Sequence, residues 1–290
     1  MLKKRITYFF KFQKTKMLSN FLIMFGGIWL CLEFPSFLSD NFLQFIKPFT
    51  NWILWISLFT SLIYAFIMSF PKMAYEKEFK ASNTSIKIKV GDLINETCDI
   101  VVGTSDYFDT AYDTQSNISL KSQVINRLFN SDKENVDRLI ENSLQNQAIE
   151  GTINQEKQIG KNKQYQIGTI AILPQNNRKI YLTIITNLVF ENQDKHTETS
   201  PEKYHIALNS LWNKIKVEGR KKEISIPVIG SGLSGLNLSN LILMQSAILS
   251  FVVFSKQTRI TQKLNVVIKG DNYNPNDFEE IIKFLNKIQI

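Results

Sequence analysis

Residues Glu223–Leu236 read Glu-Ile-Ser-Ile-Pro-Val-Ile-Gly-Ser-Gly-Leu-Ser-Gly-Leu. Ile224, Ile226 and Val228 alternate as in a short buried strand, and Gly230, Gly232 and Gly235 follow at once. Glycine permits positive φ and lets a backbone come close to a ligand. An apolar helix is expected from Ser239 to Ser255. A loop of this kind between strand and helix points amide N–H groups outward beside a positive helix N-terminus, which suits a phosphate or pyrophosphate. A tightly packed strand-to-helix turn with no ligand is an equal reading at this point. The loop is not a Walker loop, because no Gly-Lys-Ser/Thr follows, and it lies too late in the chain for the first-strand dinucleotide fingerprint.

Outward from this loop, strands and helices alternate. Ile86, Ile88 and Val90 alternate with lysines and run into Gly91-Asp92-Leu93. Cys98–Gly103 is a short apolar run suited to a central strand, and it leads into Thr104-Ser105-Asp106-Tyr107-Phe108-Asp109-Thr110. Helical spacing occupies 118–129 and 134–147, and 155–164 is a polar excursion, read as a hairpin turn or a disordered insert. Two strands follow at 166–173 and 179–189, then a polar loop at 191–200 and a helix with Pro201 at its first position. A last strand at 264–269 and an amphipathic helix at 274–288 close the chain. This alternation predicts a three-layer α/β domain with a mostly parallel or mixed central sheet. Ligands of such sheets sit beyond the carboxyl ends of the strands. Gly91-Asp92-Leu93, the loop after Gly103 and the glycine loop should therefore converge.

Charge divides the chain. Of 34 Lys/Arg and 26 Asp/Glu, residues 1–80 hold ten and four, and residues 81–290 hold 24 and 22. The basic surplus belongs mainly to the first part, and no nucleic-acid partner is expected for the body. Two cysteines, Cys31 and Cys98, give neither a disulfide framework nor a zinc cluster, which fits a reducing compartment. With only His196 and His205, both read as ordinary surface or helix residues, a histidine-rich metal site is excluded. No metal is expected.

Residues 1–16 carry six basic residues and no acid. Two apolar runs follow, at about 17–35 and 52–70, and about 20 apolar residues span a bilayer as a helix. A cleavable signal peptide is disfavoured by the absence of a small-residue cleavage pattern. A buried core pair is strained by a second run that is apolar on every face, and an in-plane helix would need a charged face that these runs lack. A two-helix transmembrane hairpin over 1–80 is the expectation. The basic tail, with Lys72, Lys77 and Lys80 after the second run, puts both termini on the cytoplasmic side of the membrane. Gly26-Gly27 is a weak hint of helix association.

Three motifs together resemble a macro domain over about 84–288: Gly91-Asp92-Leu93, Asp99-Ile100-Val101-Val102, and Gly230-Ser231-Gly232-Leu233-Ser234-Gly235 after Ile226-Pro227-Val228-Ile229. The resemblance implies a three-layer macro-like fold with a mixed central sheet at 81–290, behind the hairpin. It implies an aspartate, here Asp92, that accepts from an adenine amino group, with Leu93 beside it. It implies a loop around a diphosphate, here Gly230 to Leu236, and a residue near the adenine after the last strand, Asp271 or Asn272. The Asn-Ala-Ala-Asn segment of the de-ADP-ribosylating members is replaced here by Gly103–Thr110. That departure shifts the expectation from hydrolase to binder. A membrane-tethered ADP-ribosyl hydrolase using Asp106 or Asp109 is the alternative. The loop contributes Thr104, Ser105, Tyr107 and Asp109 to the candidate site, and Tyr107 or Phe108 could stack on a base. With the hairpin, it resembles the membrane-anchored macro-domain effectors of bacterial Thoeris antiphage defence. That resemblance implies a bacterial inner-membrane location, an ADP-ribose-derived messenger from a TIR-domain partner, no cofactor, a homo-oligomer, and disruption of the lipid bilayer.

Overall fold

A computed structural model describes residues 2–110, 119–155, 157, 160–191, 194–219, 222–232 and 236–288. The chain forms two compact units, Met1–Lys72 and Met73–Ile290.

The first unit is helical. Helix α1 spans Leu2–Phe12, α2 Lys14–Leu38, α3 Asp40–Ile46 and α4 Thr50–Ser69. The stretches Lys14–Leu38 and Asp40–Ser69, each with an 18-residue segment of mean hydropathy 1.8, are long and apolar enough to cross a membrane by length and composition. The buried residues of α4 are Ser57, Ser61, Ala65 and Ser69. These lie four apart, so they share one face, and small side chains there let a second helix approach closely. Asn20 of α2 donates to Ser69 Oγ at 3.0 Å, which fixes α2 and α4 against one another. A Cβ added at Gly26 or Gly27 would meet nothing within 4 Å. The close-approach stripe of the hairpin is therefore on α4, and the glycine pair takes no part in it.

The second unit has three layers. Its strands are β1 (Ala74–Phe79), β2 (Thr84–Val90), β3 (Asp99–Ser105), β4 (Thr152–Ile153), β5 (Lys163–Gln164), β6 (Ile170–Gln175), β7 (Arg178–Glu191), β8 (Asp194–Glu198), β9 (Glu223–Pro227) and β10 (Lys263–Ile268). Its helices are α5 (Leu120–Leu128), α6 (Lys133–Gln145), α7 (Pro201–Glu218), α8 (Asn240–Gln257) and α9 (Pro275–Lys287). The main sheet runs β1-β2-β10-β9-β3-β7-β6, with β8 paired to β7, and β4 pairs β5 separately. The five strands from β2 to β7 are mutually parallel, and β1, β6 and β8 pair antiparallel. The sheet is mixed, as expected.

Strand periodicity sorts the core. Ile86, Ile88, Ile224, Ile226, Leu264 and Val266 meet the apolar faces of α7, α8 and α9. Ile100, Val102, Ile180, Leu182 and Ile184 meet α5 and α6 on the other face. Trp212 of α7 is fully buried and donates its indole N–H to Ser250 Oγ at 2.9 Å, so the polar atom of a large core side chain is satisfied. Ser200 caps α7 through the Lys203 amide, and Pro201 takes the first helical position.

Strand β1 lies in the second unit, although the sequence places the domain start after residue 80. All six of its residues pair with β2. Its Phe79 is buried, and Lys77 Nζ donates to the Leu285 and Ile288 carbonyls at the end of α9.

Candidate functional site

Because β2, β10, β9, β3 and β7 are parallel, their carboxyl ends share one edge of the sheet. Gly91-Asp92-Leu93 leaves β2, Lys269–Asn272 leaves β10, Val228–Leu236 leaves β9, and Asp106–Thr110 leaves β3. The Gly91 amide donates to the Ile268 carbonyl at 2.9 Å, tying the first two exits together. Asp92 and the glycine loop stand two strands apart, about 10 Å across the ladder. The loop after β3 is the next neighbour of the glycine loop.

Asp92 does two local jobs. One carboxylate oxygen accepts the Ile94 amide at 3.1 Å, which caps the short turn at Leu93–Asn95. The other accepts from Arg127 Nη1 at 2.5 Å, and Arg127 Nη2 reaches Asn95. Burial opposes ionisation of Asp92, but the Arg127 and Ile94 hydrogen bonds and the charges of Arg127 and Lys269 outweigh it and hold the carboxyl below the usual range. Arg127→Ala is expected to raise it toward the ordinary value near 3.9, read by NMR titration of the side-chain carboxyl. The folded-state value is depressed, so the stabilisation is present above the unfolded value and is lost as pH falls through the folded one. Both partners are more than a third exposed. Such a pair contributes about 0–1 kcal/mol, so a competing donor meets little resistance.

In the glycine loop, Gly230 has φ of 86°, and a Cβ there would stand 3.3 Å from Leu243 Cδ2. The positive φ is the conformation that favours glycine, and the Leu243 contact would be tight for any side chain. Ser231 donates its hydroxyl to the Val228 carbonyl at 2.7 Å, closing the turn. Gly232 is exposed, and a Cβ on it would meet nothing within 4 Å. Leu236 is buried against the core and anchors the loop from below. Leu233, Ser234 and Gly235 lie outside the described residues. Asn272 and Asp271 are exposed at the end of β10.

The loop after β3 turns inward. Tyr107 and Phe108 are buried, as are Thr104 and Asp109, and Ser105 is half-buried. Asn154 donates to the Tyr107 hydroxyl at 2.8 Å, and Lys157 Nζ lies 5.0 Å from the centre of the Tyr107 ring. The Asp109 carboxylate pairs with Lys157 at 2.6 Å, with 4% and 1% of the two side chains exposed. Lys121 donates to the Asp109 main-chain carbonyl at 2.5 Å. Asp106, wholly buried, accepts from Gln164, Asn187 and the Leu188 amide. Leu93 is likewise buried, in the same apolar cluster as Phe108.

The structure thus brings Asp92, Gly230, Ser231, Gly232 and Asn272 to one exposed edge, and sets Leu93, Thr104, Tyr107, Asp109 and Leu236 beneath it. A separate cavity of about 260 Å³ lies behind the β3 loop, between Tyr107, Phe108, Ile140, Leu144, Asn162 and Tyr165.

Sequence reasoning passed over Arg127, Lys121 and Lys157. Lys121 carried a signal: it stands three and four residues before Val124 and Ile125, on the buried stripe of α5. A lysine on a core stripe implies a buried partner.

Among solved structures the chain is similar to a mutant of the Oceanobacillus iheyensis macrodomain, at 16% identity over 75% of this chain and 100% of that one, with a TM-score of 0.48. The Oceanobacillus iheyensis macrodomain with ADP matches at 15% identity over 75% and 100%, TM-score 0.41. The Trypanosoma brucei macrodomain matches at 13% over 68% and 66%, TM-score 0.39. No curated protein sequence matches this chain. The family model for the macro domain of the Thoeris protein ThsA matches residues 86–269, which is more than half of the chain and takes in the exits of β2, β9 and β3 described above, and the chain therefore belongs to the ThsA macro-domain family.

Proposed function

We propose that the second unit binds an ADP-ribose derivative along the carboxyl edge of its sheet and acts as a sensor in Thoeris antiphage defence. In this reading Asp92 accepts from the adenine amino group, with Asn272 beside the base. Backbone amides of Gly230–Leu236 hold the diphosphate, which needs no lysine in a glycine nest. The inward-turned Thr104–Asp109 segment shapes the far end. A TIR-domain partner supplies the messenger, and no cofactor takes part. The observation that supports this reading most is that four consecutive parallel strands, β2, β10, β9 and β3, end at one edge of the sheet, and all four ends lie inside the family match.

The first unit is the effector in this proposal. Its two long apolar helices span the inner membrane as a hairpin with both termini cytoplasmic, following the basic residues around them. Messenger binding favours an assembled state of several copies, and the clustered hairpins disrupt the bilayer. This requires tighter binding to the assembled state than to the resting one. The inner engagement of Asp106 with three donors and of Asp109 with Lys157 supports binding rather than hydrolysis, since neither carboxylate is turned to the edge.

Calorimetry on a fragment beginning at Met73, which keeps β1, tests the reading. Heat of binding with an ADP-ribose derivative is expected, with the ligand recovered intact by mass spectrometry. Silence across ADP-ribose derivatives would remove the proposal. Turnover of the ligand would make the protein a hydrolase instead.

A further inference from the structure

Helix α1 does not continue the hairpin. Asn20 stands level with Ser69, where the two side chains meet. Phe9 precedes Asn20 by eleven residues, so a straight helix would carry it about 16 Å beyond the end of α4. Instead the Phe9 ring lies 5.0 Å from that of Phe66 and 5.7 Å from that of Phe70. The chain therefore folds back at Gln13, the one non-helical residue between α1 and α2. Helix α1 lies across the α4 end of the hairpin.

Around α1 the faces are distinct at 100° per residue. Tyr8 and Phe9 are buried, at 8% and 2% exposure, and Phe9 packs on the Phe66 and Phe70 rings. Ile6 and Phe10, adjacent on the next sector, stay 40% and 61% exposed. Lys3, Thr7 and Lys11 follow on the exposed polar sector. One face is thus fixed to the hairpin, one is apolar and open, and one is cationic.

We propose that α1 is an in-plane helix that docks on the acidic phospholipid surface of the leaflet at the hairpin's end. Ile6 and Phe10 enter the headgroup–acyl boundary, and Lys3 and Lys11 meet the lipid phosphates. Apolar burial with cationic flanks is the chemistry of interfacial helices, and each lysine near an anionic surface adds attraction. Charge complementarity selects an acidic bilayer over a second copy of this chain, because two such faces would oppose like charges. The inference rests on the hairpin reading above.

The test uses the full chain, with Cys31→Ser and Cys98→Ser, reconstituted into vesicles and spin-labelled at Ile6→Cys or Thr7→Cys. These neighbours point 100° apart. In vesicles containing phosphatidylglycerol, the label at position 6 should collide mainly with oxygen and the label at position 7 mainly with a water-soluble nickel complex. The ratio of docked to undocked α1, read from the oxygen bias at position 6, should fall by roughly fivefold for each single positive charge removed in Lys3→Gln and Lys11→Gln, and should fall likewise in pure phosphatidylcholine. Carbonate-resistant flotation of the same samples reports the hairpin separately. Nickel-dominated collisions at both positions in floating protein would overturn the in-plane helix and leave the hairpin standing. Equal oxygen bias in neutral and acidic vesicles would overturn the acidic-lipid partner. Failure to float would overturn both readings.

Discussion

Lys157→Ala is expected to lower the stability of the second unit by about 3 kcal/mol, toward the low end for a broken buried ion pair. The Lys157 ammonium lies 2.6 Å from Asp109 Oδ2, and both side chains are almost wholly out of solvent. Removing the cation leaves a carboxylate in a poorly solvating place. Lys121 holds the Asp109 carbonyl and keeps a second positive charge nearby, which limits the loss. The cation above the Tyr107 ring goes as well. For a unit of this size the melting temperature should fall by about 6–12 °C, and urea unfolding should show a lower midpoint with an unchanged slope. Lys157→Met combined with Asp109→Leu should recover most of the loss, because an apolar pair of similar volume carries no desolvation cost. A single variant within about 1 kcal/mol of the parent would mean that the pair is solvated. The consequence for function runs through the loop. Asp109 pins the segment Asp106–Thr110, which underlies the candidate edge, so a freed loop must be ordered when ligand binds and affinity drops with it.

The parts of this fold that were legible in sequence are those whose partners are generic. The run Ile224–Val228 alternates because one face of β9 meets α7 and α8, and any apolar surface would impose that pattern. Pro201 after Ser200 marks the start of α7 by local backbone chemistry alone. Strand β1 was not legible. Glu76, Lys77 and Glu78 are consecutive charges, and they fit a strand only because Glu76 meets Lys263 and Ser85 while Lys77 reaches the last turn of α9. Strand β8 fell within an expected polar loop for a related reason: its five residues pair only with the overhang of β7. The first residues read as a basic tail, whereas the structure makes them the helix α1. In the site, Asp92 and the glycine loop are local motifs and could be picked out directly. The Asp109–Lys157 pair joins residues 48 apart, and no local rule connects a loop acid to a lysine in a polar insert.

Gly232→Glu is expected to leave the fold intact and to weaken binding of an ADP-ribose derivative at least about a hundredfold. The position separates the two effects cleanly. A Cβ on Gly232 meets nothing within 4 Å, and its φ lies outside the left-handed region, so the backbone accepts a side chain. The melting temperature should stay within about 2 °C of the parent, as for an exposed substitution. Gly230→Ala would not serve, because its φ of 86° and the nearby Leu243 side chain add strain that confuses stability with binding. A glutamate at position 232 places a negative charge in a loop proposed to hold a diphosphate. Like charges brought together on binding cost several kcal/mol, and about 2.8 kcal/mol is a hundredfold in affinity. Gly232→Gln supplies the same bulk without the charge and should lose much less, which isolates electrostatics from occlusion. Raising the salt concentration should narrow the gap between the two variants, since exposed charges are screened. If Gly232→Glu binds as tightly as the parent while the parent does bind, the diphosphate lies elsewhere on the edge. If the glutamine variant is as weak as the glutamate one, the loop excludes side chains by shape, and the amides hold the ligand too closely for any residue larger than glycine.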